Sequence, residues 1–211
     1  MPSITSVKTI IKEACVENFR EARTAEKAGA NRIELCENLG VGGTTPSLGT
    51  IKACLEKLTI PTFVMIRPRG GDFIYSSEEI SIMKSDIAIC KKIGVQSVVF
   101  GLLDTNGNID TKNTLELVKY SRPMQVTFHK AFDELTDPME GLETLIQIGA
   151  DRVLTSGTKS TATEGKKMLN QLIDRANGRI IIVAAGKVTS ENLRELSVTV
   201  RTNEFHGKRI V

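Results

Sequence analysis

Short apolar runs alternate along this chain with longer stretches in which hydrophobic residues recur at helical spacing. The runs at 8–15, 32–36, 60–67, 97–101, 124–129, 151–156, 179–184 and 203–206 have the length and composition of buried strands. Between them the pattern predicts helices over 18–28, 48–58, 111–120, 138–148 and 165–176. A further helix opens at Ser76 or Ser77, with Glu78 and Glu79 in its first turn, and a short one capped by Ser190 runs to Leu196. Ile51, Cys54, Leu55 and Leu58 share one helical face, as do Met83, Ile87 and Cys90, so these segments each have a side to lay on a sheet.

Near-continuous apolar strands separated by amphipathic helices indicate a parallel sheet covered on both faces. Eight such strands predict a closed (β/α)8 TIM barrel, organised as one domain over residues 1–211. No G-x-G-x-x-G motif follows any strand, which argues against a dinucleotide-binding open sheet. Only Gly207 to Val211 follow the last strand, so a full eighth outer helix is expected to be missing. The bare face this leaves predicts a homodimer, with the N-terminal lead as the competing cover.

Composition narrows the partners. The 28 basic and 25 acidic residues are interspersed, there is no Trp and there are two Tyr, so the basic stripe with exposed aromatics of a nucleic-acid binder is missing. No apolar run reaches membrane-spanning length and no signal-peptide pattern opens the chain, so a soluble intracellular protein is expected. Cys15, Cys36, Cys54 and Cys90 form no C-x-x-C pair and are expected as reduced thiols.

Barrel sites lie where strands end, so polar residues at strand exits are the candidate chemistry. Side chains two apart on a strand share a face, which groups Glu13 with Cys15, Arg32 with Glu34 and Cys36, Arg67 with Arg69, and Glu204 with His206. His129 closes the fifth strand, with Asp133 four residues on as orienter or cap, and Ser156 closes the sixth. Glu34 and Arg67 on adjacent strands read as a structural ion pair or as half of an anion site, with Arg69 the guanidinium left for a ligand carboxylate or phosphate. Glu13, Glu34, His129 and His206 are the acid–base candidates. Cys15 and Cys36 suit a soft ion such as Cu(I), or serve as small buried hydrophobes.

The segments A-G-A-N-R-I-E-L-C, G-G-T-T-P-S-L-G, I-R-P-R-G-G-D-F, V-T-F-H-K-A-F-D, R-V-L-T-S-G and E-F-H-G resemble those of the CutC family, named for copper homeostasis. The resemblance runs from Glu13 to Gly207 and implies a cytoplasmic TIM barrel, often dimeric, with a role in copper binding or trafficking. The family pattern falls on Glu13, Cys15, Glu34, Cys36, Arg67, Arg69, His129, Asp133 and His206. The chain departs from it after the seventh strand, where Ala185 and Lys187 replace glycines. Three readings follow: a copper homeostasis protein that binds Cu(I), an acid–base enzyme on a small phosphate- or carboxylate-bearing metabolite, and a non-catalytic binding barrel.

Overall fold

The computed structural model describes residues 9–211. Eight strands close into a barrel in chain order: β1 (Ile11–Val16), β2 (Arg32–Leu35), β3 (Thr62–Met65), β4 (Ser97–Phe100), β5 (Gln125–Phe128), β6 (Arg152–Thr155), β7 (Ile181–Ala184) and β8 (Glu204–Gly207). Every neighbouring pair is parallel, and β1 closes the ring on β8 with Glu13 opposite His206. Parallel strands need long crossovers, and the amphipathic segments provide them. Lys8, where the first expected strand begins, lies outside the described residues.

Among the described residues seven α-helices alternate with these strands: α1 (Phe19–Lys27), α2 (Leu48–Lys57), α3 (Ser77–Lys92), α4 (Thr111–Ser121), α5 (Pro138–Ile148), α6 (Ala162–Ala176) and α7 (Leu193–Thr199). Their starts are locally encoded. Asn18 caps α1, and Ser76 and Glu79 form a reciprocal capping box on α3. Two starts differ from expectation. The sixth helix begins before Gly165, because the Thr161 side chain accepts from the Glu164 N–H. Ser190 caps nothing: its N–H donates to the Arg209 carbonyl, and α7 starts after Asn192.

Two apolar layers result from the strand alternation. Ile33, Leu35, Val64, Ile66, Val98, Phe100, Val126 and Phe128 pack outward against the helices. Cys15, Cys36, Phe63, Met65 and Val99 pack separately, inside the ring, as do Leu154, Val183 and Ala185. No helix follows β8 among the described residues, and a groove of about 640 Å³ lined by Asn18, Arg20, Thr24, Ala25, Lys208 and Val211 lies along that side. None of the described helices is long and apolar enough to cross a membrane.

Candidate active site at the barrel mouth

The inward positions of successive strands build a polar column inside the ring. At its base, Arg152 Nε is 3.1 Å from Glu204 Oε2, and Arg32 Nη2 is 2.5 Å from the same oxygen. Arg32 also pairs with Glu13, and the Phe63 ring lies beneath Arg32 and Arg152 at 4.8 Å and 5.3 Å. Buried charges persist only when paired, and these alternate in sign.

The column continues upward through Glu13. Its Oε1 lies 2.7 Å from His206 Nδ1, and His206 Nε2 points to Glu34 Oε2 at 3.7 Å. Cys15 Sγ and Cys36 Sγ lie 3.4 Å and 3.5 Å from that same Glu34 oxygen. The other, Glu34 Oε1, is buried and has no partner.

Electrostatics divide these groups into different protonation states. Burial raises Glu13, but the Arg32 and His206 charges outweigh it and bring the carboxyl down to about 2. Burial pushes Glu34 up to about 8, His206 opposing and the negative charge around Cys15 and Glu13 assisting. Burial disfavours the His206 cation, yet Glu34, Cys15 and Glu13 overcome that and raise it well above its ordinary value. The Cys36 thiol, bonding to Cys15, lowers Cys15 and is itself raised. Glu13 is thus the carboxylate of the set; burial and the negative charge around Cys15 favour the protonated form of Glu34, and the carboxylates and Cys15 favour the cation of His206, the two titrating together.

These residues open onto a cavity of about 190 Å³ at the C-terminal end of the strands, closed by Leu39, Gly42, Met65, Phe73, His129, Lys130 and Leu154. His129 is buried, and its Nδ1 accepts the Ala131 N–H at 3.2 Å. Burial, then the Arg67 charge, push His129 down to about 3, so the ring is neutral and carries its proton on Nε2. That N–H has no acceptor. The ring is held at Gly101, where a Cβ would stand 2.5 Å from His129 Nδ1.

The two arginines exchange their expected roles. Arg69 is not free for a ligand: its Nε is 2.6 Å from Glu79 and its Nη2 is 3.0 Å from Asp72. The chain turns at Pro68 and Gly70, so the period of two does not carry Arg69 into the barrel. Arg67 stays buried, but it is not paired with Glu34. Its guanidinium donates to the carbonyls of Val41, Gly43 and Gly71 and stacks over Phe73 at 4.7 Å, leaving Nε without a partner. Gly42 permits this, since a Cβ there would lie 2.8 Å from Arg67 Nη1.

Asp133 is not bonded to His129. It lies on a 3-10 turn, Lys130–Glu134, that the sequence pattern does not announce, and it accepts from Thr155, Ser156 and Thr158 and from Lys130. Ser156 is held by this carboxylate. Thus Cys15, Glu34, Cys36, His129 and His206 meet at one cavity, Glu13 lies behind His206, Arg67 stands behind Phe73, and Arg69, Asp133 and Ser156 have internal partners.

The whole barrel matches one family model, that of the CutC family, over residues 10–211. The chain belongs to the CutC family. It is 48% identical over 196 residues to the mouse (Mus musculus) copper homeostasis protein cutC homolog, covering 93% of this chain and 72% of that one. A solved CutC structure from Streptococcus agalactiae superposes with a TM-score of 0.92 at 36% identity, covering 96% of this chain and 100% of the other. A structure described as QR15, an aldolase, reaches a TM-score of 0.69 at 15% identity over 97% of this chain and 92% of that one, a likeness of fold alone.

The donor set of this CutC chain could coordinate a metal ion. Cys15, Glu34 and Cys36 each bring one ligand atom, all within 4.8 Å of one another, and Glu13, Glu34 and His206 form a second such group. The unpartnered Glu34 Oε1 lies on the carboxyl that the two sulfurs approach. Cys54 and Cys90 lie on helix faces, where burial pushes their thiols up to about 11 and about 12. Sequence reasoning missed Lys130, Met65, Phe73 and Leu154 in the cavity wall and Arg152 in the column. The alternation of Arg152, Leu154 and Ser156 was the available signal for the sixth strand.

Proposed function

We propose that this barrel is an enzyme that transfers a proton on a small anionic metabolite. Glu34 is the general acid and base, the His129 Nε2–H donates to a substrate oxygen, and the Glu13–His206 pair fixes the charge facing Glu34. The observation that carries this reading is a carboxyl that keeps its proton to about pH 8, 3.7 Å from an imidazolium, in the wall of a strand-exit cavity. A group tuned toward neutral pH serves as both donor and acceptor of protons. Two buried groups of opposite capability, the Glu34 oxygen and the His129 N–H, lack partners there, which suits a carbonyl compound whose α-proton moves while its oxygen is polarised. Arg67, buried behind Phe73 with no carboxylate partner, places a positive charge near the mouth, while Lys130 at the wall is paired with Asp133. The cavity of about 190 Å³ holds roughly six water-sized groups at about 30 Å³ each, so the substrate is small.

Incubation in D2O with short 2-oxo acids and other small carboxylates, followed by proton NMR, tests the proposal. Exchange of a carbon-bound proton, lost in Glu34→Gln, supports it. No exchange across the panel, or exchange unchanged in Glu34→Gln, contradicts it.

The paired thiols favour a second reading, that of a copper-handling protein in which Cys15 and Cys36 hold Cu(I), with Glu34 or His206 beside them. Anaerobic titration would give one Cu(I) per chain, abolished by Cys15→Ser with Cys36→Ser. Buried free thiols support a reducing, cytoplasmic setting, and the groove beside β8 supports a homodimer through that face.

A further inference from the structure

At the exit of β6 the chain folds into an anion nest. The N–H groups of Ser156 and Thr158 converge at 3.0 Å on one carboxylate, the Ser156 hydroxyl joins them at 2.9 Å, and the Thr155 hydroxyl completes the set. Thr158 holds φ 59 to do this, a left-handed conformation that a β-branched residue adopts only under constraint. Lys130 Nζ, 2.9 Å from Asp133 and 2.9 Å from the Ser156 hydroxyl, adds a cation. Backbone and hydroxyl donors with a lysine at a barrel strand exit are the equipment of a phosphate site. Here the anion is the chain's own Asp133.

We infer that Asp133 is an internal anion that fills this nest and so restricts the mouth to ligands without a phosphate group, short carboxylates above all. The inference rests on the acid–base reading of the neighbouring cavity for its substrate class. Burial raises the Asp133 carboxyl, but Lys130 and the surrounding donors hold it below its ordinary value, so it stays charged and seated.

Thermal unfolding with inorganic phosphate tests the nest. Phosphate is expected to leave the wild type unchanged and to raise the unfolding temperature of Asp133→Ala saturably, by about 3–6 °C at a tenfold excess over Kd. Asp133→Ser serves where the alanine variant does not fold. Asp133→Asn, which keeps the side chain's volume, is expected not to respond. Phosphate that stabilises the wild type as much as the variants, or stabilises none of them, overturns the inference. Ligand-observed NMR on the wild type then compares pyruvate with glycerol 3-phosphate. Pyruvate alone bound supports the inference. Glycerol 3-phosphate bound with Asp133 in place overturns it but spares the acid–base reading. If neither binds, the acid–base reading fails, and the phosphate response of Asp133→Ala decides the nest alone.

Discussion

Glu34 Oε2 faces His206 Nε2 across 3.7 Å, and the two hold their protons together near neutral pH: one is an uncharged acid, the other a cation. The pair sets the pH dependence of proton transfer at the mouth. Exchange begins with removal of a carbon-bound proton by the Glu34 carboxylate, so its rate is expected to rise as the pH climbs through about 8 and to level off above it. A rate profile from pH 6 to 9.5 on an exchanging substrate checks this, with Glu34→Gln expected to lower the rate about 100-fold or more.

His129 gives a stability signature at lower pH. Its folded value, about 3, lies below the ordinary 6.5, so its contribution is complete above 6.5 and is lost as the pH falls from 6.5 toward 3. Glu13, brought from 4.5 to about 2, adds to the same loss below 4.5. Over pH 7.5 to 4.5 Glu34, raised from 4.5 to about 8, gains stability as the pH falls and opposes this loss. The His129 contribution is therefore read as the difference between wild type and His129→Gln, whose side-chain oxygen can still accept from the Ala131 N–H. The urea stability of the wild type relative to that variant should fall by a few kcal/mol over the range, at roughly 1.4 kcal/mol per tenfold difference in proton affinity.

Glu204 neutralises Arg32 and Arg152 at the base of the column. Glu204→Gln leaves a buried excess of positive charge and is expected to cost about 3–5 kcal/mol. Glu204→Gln should also leave Arg32 to Glu13 alone, because the guanidinium is shared between the two carboxylates. Denaturant unfolding of single and double variants with Glu13→Gln should therefore be non-additive.

Arg69 is anchored to Glu79 and Asp72 on the outer rim, with a side chain 38% exposed. Arg69→Ala should lower stability by about 1 kcal/mol or less and leave ligand affinity at the mouth unchanged. Calorimetric titration of the variant with whatever small carboxylate the wild type binds checks this, and a tenfold weakening would return Arg69 to the site.

The barrel was legible because buried parallel strands leave short apolar runs and their crossovers leave amphipathic ones, a pattern carried by Ile33, Leu35, Val64 and Phe100 against Met83 and Ile87. The gathering of Glu13, Cys15, Glu34, Cys36 and His206 was legible from the period of two. What hid the rest is what happens after a strand stops. Beyond Met65 the chain turns, so spacing does not distinguish Arg67, which goes in, from Arg69, which goes out. Asp133 reaches Ser156 through a 3-10 turn with no apolar period of its own, and the tautomer of His129 depends on the Ala131 N–H. Such contacts between loops of distant strands leave no trace in local pattern.

The most direct measurement is a carbon-13 NMR titration of the glutamate side-chain carboxyls, with the Glu34 resonance assigned by its disappearance in Glu34→Gln. A midpoint near 8 is the expected result. A midpoint near the ordinary 4.5 would mean that Glu34 is a carboxylate at neutral pH, and the proton-donating site described here would not exist.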